Sequence, residues 1–95
     1  MAETKACFVV EAAYADDATE SRAPYREQHL ERVERLMTEG TLLLAGAYDD
    51  MSASLLILDV ADEKQAREIA ESDVYWREGI WTEITVLRLN RVVRV

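Results

Sequence analysis

The sequence predicts an α+β fold in which a four-stranded antiparallel sheet carries two helices on one face. Three observations point that way: a chain of 95 residues, long enough for one core; four apolar runs of strand-like composition; and two stretches of helical periodicity set between them. Compact domains cluster at roughly 100–150 residues, so 1–95 reads as a single domain.

Residues 6–13 are dense in Phe8, Val9 and Val10, which suits a short buried strand. Residues 14–21 are polar, with Asp16 and Asp17, and read as a loop. Pro24 fits a first helical turn, where its missing N–H costs nothing. The helical pattern then runs over 24–39, and Gly40 is placed to close it in a left-handed conformation. At about 100° per residue, Tyr25, Leu30, Val33, Leu36 and Met37 share one face, while Glu27, Gln28, Glu31, Glu34, Arg35 and Glu39 cover the other.

Residues 41–45 give a second strand, which ends at Gly46-Ala47 and an acidic turn over 48–50. Residues 54–60 give a third, antiparallel to the second because the linker is short. Asp62 and Gln65 resemble a capping box opening a second helix, whose inner face uses Ala66, Ile69 and Ala70. Residues 72–79 read as a helix end or turn, and 82–95 as a long last strand. The order β-α-β-β-α-β is the split βαβ, or ferredoxin-like, arrangement.

Strands two and three are apolar at consecutive positions, whereas a sheet with one wetted face alternates. Two helices cover one face only. The other is expected to pack on the same face of a second copy, as in an isologous homodimer; short strands that are simply apolar throughout are the plainer alternative.

Nineteen acidic against eleven basic residues give a formal charge of -8. That field repels nucleic-acid phosphates and anionic lipid, so neither nucleic acid nor a membrane surface is expected as partner. Cys7 is the one cysteine, which leaves no intrachain disulfide or cysteine-based zinc site, and its apolar neighbours mark it as a small buried hydrophobe. No apolar run approaches the ~20 residues that span a bilayer, and the first residues lack a signal-like apolar stretch, so a cytoplasmic setting is expected. Phosphate-binding glycine loops, nucleophile motifs and His-carboxylate metal spacings are missing, so neither cofactor nor metal is expected.

The single histidine, His29, falls on the apolar face of the first helix. A buried imidazole needs hydrogen-bond partners and becomes a proton-transfer group once a cavity reaches it. By spacing alone, a satisfied core histidine and a functional one both remain open. Arg26 shares that face and Arg22 sits one turn earlier. Together they either form the positive island an anionic ligand needs, or lay their alkyl stems over a helix end. Asp73 lies in a turn with Tyr75 and Trp76, where a carboxylate is often a plain cap.

Arg22, the run Arg26-Glu27-Gln28-His29-Leu30, the run 40–46 (Gly-Thr-Leu-Leu-Leu-Ala-Gly) and Asp73-Val74-Tyr75 with Gly79 together resemble the YciI-like (YCII-related) family. The resemblance spans nearly the whole chain. It implies a dimeric α/β barrel of two ferredoxin-like sheets and a pocket holding a His-Asp pair, which falls on His29 and Asp73. Val74 stands where the family usually has Pro, and Ala47 where Pro often follows the Gly; both replace rigid turn residues beside the implied site. Dehydrochlorination within the family implies lyase chemistry on a hydroxylated ring. The resulting expectation is a cofactor-free acid/base enzyme of lyase or isomerase type. Asp73 would orient His29, His29 would move a proton on a small cyclic or phenolic substrate, and Arg22, Arg26 and Tyr75 would hold that substrate. The alternative is a non-catalytic dimer that binds a small ligand or serves as an accessory protein.

Overall fold

A computed structural model describes residues 1–95. The chain forms β1 (Ala2–Tyr14), α1 (Ala18–Ser21), a 3-10 turn (Ala23–Tyr25), α2 (Arg26–Thr38), β2 (Leu42–Ala47), β3 (Ala53–Leu58), α3 (Glu63–Glu71), α4 (Val74–Arg77) and β4 (Trp81–Arg94). The sheet order is β2-β3-β1-β4 and every neighbouring pair is antiparallel. This is the ferredoxin-like α+β fold, with an open sheet. No helix is long and apolar enough to cross a membrane.

The core lies between the helices and one face of the sheet. Phe8, Val10 and Ala12 of β1, Leu56 and Leu58 of β3, and Ile84 and Val86 of β4 point into it. Ala66 and Ala70 of α3 meet them with no exposed surface, and side chains this small let the helix lie close to the sheet. Fully burying a Leu or Val side chain is worth about 1.5–3 kcal/mol, so this layer dominates the fold's stability. The capping box at Asp62 forms, its carboxylate accepting the Gln65 N–H at 2.8 Å, while the Gln65 side chain reaches back to the Ala61 N–H at 3.0 Å.

Gly40 closes α2 at φ +81°. The Gly40 N–H donates to Met37 O and the Thr41 N–H to Leu36 O, both at 3.0 Å, which is the paired bonding of a Schellman motif.

Several expected boundaries move. The segment 14–21 is not all loop: Ala18 is buried in the core and nucleates α1, whose turn is tied by Ser21 and Arg22 N–H bonds to Asp17 O and Ala18 O at 2.9 Å. β2 runs on from 45 through Gly46 and Ala47, which pair with Leu55 and Ser54; the turn comes after them, with Met51 at φ +60°. β3 ends at Leu58, one residue past which the Asp59 N–H still bonds across to Thr41 O at 2.8 Å. Leu30 and Met37 share the inner stripe of α2 by periodicity yet stay 43% and 42% exposed, since they lie at its margins where the sheet does not reach.

β3 alternates strictly, with Ser54, Leu56 and Leu58 buried and Leu55 and Ile57 half-buried on the other face. Within one chain, then, the second face of the sheet is uncovered. Leu44, Leu87 and Leu89 stand 48%, 57% and 40% exposed. Cys7 is buried, as expected of a small hydrophobe. Beyond the last β1–β3 pair, Phe8 with Leu58, β1 and β4 continue alone as a two-stranded ribbon that ends at Ala2 opposite Arg94. This ribbon stretches the molecule to 46 × 25 × 23 Å. It also raises the radius of gyration to 13.7 Å, against roughly 12 Å for a compact chain of this length.

Candidate functional site

Asp73 follows α3 in an extended conformation (φ -74°, ψ 145°) and caps α4, its carboxylate accepting the Tyr75 N–H at 2.9 Å. The other end of this one-turn helix is fixed by Gly79 at φ +73°, where the Gly79 N–H bonds Trp76 O at 3.2 Å and the Ile80 N–H bonds Tyr75 O at 2.8 Å. Val74, the first residue of α4, is buried in the core. The turn is therefore held by packing and by its two caps, without proline's restriction of φ.

His29 comes from the inner face of α2 and is 8% exposed; Asp73 is 2% exposed. Nδ1 of His29 lies 2.9 and 3.0 Å from the two Asp73 oxygens. An ionised carboxylate only accepts, so Nδ1 carries the proton and donates it, which leaves Nε2 as the free ring nitrogen. The plain cap and the histidine partner, which the sequence leaves as alternatives for Asp73, are one residue doing both.

Arg32, three residues after His29 on α2, completes the carboxylate's surroundings. It donates to Asp73 Oδ2 at 3.1 Å and to Ile69 O at 2.8 Å. Burial alone pushes the Asp73 carboxyl upward. The hydrogen bonds from His29 and the Tyr75 N–H, with the charges of His29 and Arg32, outweigh it and hold the carboxyl below the usual range.

The imidazole lies flat on the Tyr75 ring, centroids 3.9 Å apart at 11°, and Trp81 stands edge-on to both at 5.5 and 5.6 Å. The ring of His29 is thus fixed in plane by stacking and in rotation by Asp73. It faces a cavity of about 170 Å³ walled by Leu30, Val33, Ala45 and Leu56, with Arg22, Arg26, Tyr14, Ser54 and Tyr75 as polar lining. An apolar cavity of about 150 Å³ admits benzene, so one substituted six-membered ring fits. The Ser54 hydroxyl donates to the Tyr14 hydroxyl at 2.7 Å, and the Arg22 guanidinium sits 6.0 Å over the Tyr14 ring. The Tyr75 hydroxyl is buried with no partner in the chain. Burial pushes it up first, with Tyr14 and Asp73 adding to that and Arg22 and Arg26 opposing it. No group of three or more His, Cys, Asp or Glu side chains is placed to hold a metal ion.

All five residues singled out in the sequence, Arg22, Arg26, His29, Asp73 and Tyr75, converge on this place: four line the cavity and Asp73 stands behind His29. Sequence reasoning missed Arg32, Tyr14, Ser54 and Trp81. The i, i+3 spacing of Arg32 from His29 was a usable signal. The other three come from strand ends whose registry no local pattern reveals.

A YCII-related domain model matches residues 6–90. The chain belongs to the YCII-related domain family. A relative, an uncharacterised protein of Haemophilus influenzae, is 30% identical over 95 residues, covering 90% of this chain and 97% of its own length. Among solved structures, the 5-chloro-2-hydroxyhydroquinone dehydrochlorinase of Burkholderia phenoliruptrix, in complex with 2,5-dihydroxybenzoquinone, superposes with a TM-score of 0.75 at 19% identity. The match covers 88% of this chain and 93% of that one. At that identity the likeness establishes the fold that this YCII-related chain shares.

Proposed function

We propose that the protein is a cofactor-free acid/base enzyme, of lyase or isomerase type, acting on a small cyclic or phenolic substrate. The observation that carries this is the His29–Asp73 pair at 2.9 Å, whose free ring nitrogen belongs to a side chain lining a cavity with two arginines. Asp73 fixes the imidazole's tautomer and supports positive charge on it; Nε2 then takes a proton from, or gives one to, a ring carbon or oxygen. Arg22 and Arg26 hold the substrate's anionic oxygen, and the unpartnered Tyr75 hydroxyl donates to the same edge. Such a pair supplies about 10²- to 10⁴-fold, enough for elimination or isomerisation of an activated ring and too little for amide hydrolysis. The dehydrochlorinase with its bound dihydroxybenzoquinone supports the choice of substrate class.

The working unit proposed is a homodimer joined through the uncovered sheet face, since Leu44, Leu87 and Leu89 otherwise remain in water. Its expected setting is the cytoplasm, where a lone thiol such as Cys7 stays reduced. A ligand-binding dimer without catalysis would use the same cavity.

Calorimetric titration with 2,5-dihydroxybenzoquinone tests the site. The expected result is saturable binding that weakens at least about tenfold, or 1.4 kcal/mol, in Arg22→Gln and in Arg26→Gln. Absence of binding, or equal affinity in parent and variants, would remove the cavity from the proposal.

A further inference from the structure

The ribbon formed by residues 2–7 and 89–94 carries charge of the opposite sign to the rest of the molecule. Residues 2–7 and 89–94 hold Lys5, Arg91 and Arg94 against one acid, Glu3, which leaves eight basic and eighteen acidic residues for everything else. None of these three cations forms an ion pair within the chain; the two ion pairs present both involve Asp73. Two details make the isolated ribbon unfavourable. Lys5 and Arg91 are directly opposite each other in the β1–β4 ladder, hence on one face, and like charges at such positions repel. The Nε of Arg91 is buried with no acceptor. Beside these groups Val92, Val95 and Leu89 are 71%, 68% and 40% exposed. The ends of the ribbon, 2–5 and 91–94, also lie outside the residues matched to the family.

We infer that this ribbon is a clasp for the acidic surface of a second copy of the same chain. The occupant follows from the charge: a body with ten more acids than bases is complementary to a projecting strand pair with two more bases than acids. Carboxylates of the second copy turn the Lys5–Arg91 repulsion into attraction. Val92 and Val95 provide the apolar part of the contact. β1 runs from the ribbon to Tyr14, where the cavity begins, so the clasp engages a neighbour without obstructing its own site. It does not depend on the chemistry proposed for His29.

Sedimentation equilibrium of the intact protein and of the double variant Arg91→Glu/Arg94→Glu tests this, at low salt and at about 0.5 M NaCl, where the screening length shrinks to a few ångströms. The clasp predicts a parent assembly whose dissociation constant rises with salt. In the variant it is weakened at least about tenfold at low salt, a gap that narrows at high salt. The milder Arg91→Gln/Arg94→Gln pair shows the same trend if the reversal unfolds the ribbon. Equal dissociation constants for parent and both variants at low salt overturn the clasp. So does a monomeric parent, or a parent whose ribbon cations instead retain duplex DNA. Assembly that responds to Leu87→Lys but not to the ribbon variants keeps the sheet-face dimer and removes the clasp.

Discussion

Asp73 is the residue on which the site turns, because its two oxygens accept from His29, Arg32 and the Tyr75 N–H at 2.9–3.1 Å while almost fully removed from water. Since its carboxyl is held below its ordinary value of 3.8 in the folded protein, the stability it contributes is present above that value. It is lost as pH falls below it through the lower folded value. Acid unfolding followed below pH 3.8 should therefore be less steep for Asp73→Asn than for the parent; identical slopes would show that the carboxylate is not stabilised as described. Arg32 acts through Asp73 and is a positioning residue. Arg32→Met should cost about 1–2 kcal/mol, the usual worth of a charged hydrogen bond discounted for partial exposure, lowering the thermal midpoint by several degrees. It should lower kcat with KM little changed, because the cavity lining is untouched; a KM effect alone would assign Arg32 to ligand binding.

Among elements, α4 matters beyond its single turn, since it presents Asp73 and Tyr75 together and is closed by Gly79 at φ +73°. An added Cβ at Gly79 meets nothing within 4 Å, so Gly79→Ala isolates backbone strain. It should destabilise by about 1 kcal/mol or more, and calorimetry should show a midpoint roughly 4–8 °C lower. An unchanged midpoint would mean the turn is not held as described. The elements themselves were largely legible, because periodicity, Gly40 and the Asp62–Gln65 box are local signals that the tertiary structure does not override. α1 was not, as four residues are too few for a period and only burial of Ala18 fixes them. The start of β1 escaped for a different reason: residues 2–5 are polar or small, and they are strand only because β4 runs beside them. In the site, His29 and Asp73 were reached through family motifs, and not through spacing, since 44 residues separate them. Arg32 was overlooked because by composition it is one more charge on a charged helix.

At the scale of the molecule, one layer of helices over a four-stranded sheet leaves an apolar face without cover. Light scattering should report a dimer for the parent, and Leu87→Lys should shift it towards monomer while retaining the fold; a well-folded parent monomer would contradict the sheet-face homodimer. The helix-side core is independent of that contact. Leu58→Ala, at a position with no exposed surface, should cost about 2–5 kcal/mol by chemical denaturation.

The central claim, that Asp73-supported His29 moves a proton on a ring bound in the cavity, is tested most directly by steady-state turnover of a panel of halogenated and unhalogenated di- and trihydroxybenzenes. Parent, His29→Gln and Asp73→Asn would be compared, with the thermal midpoint of each recorded. His29→Gln keeps a donor for Asp73 and Asp73→Asn keeps an acceptor for the Tyr75 N–H, so both variants should stay folded. The account predicts that the parent converts at least one member of the panel and that kcat/KM falls by about 10²- to 10⁴-fold in His29→Gln, with a smaller fall in Asp73→Asn. A folded parent that converts none of them, or variants that turn over as fast as the parent, would contradict it.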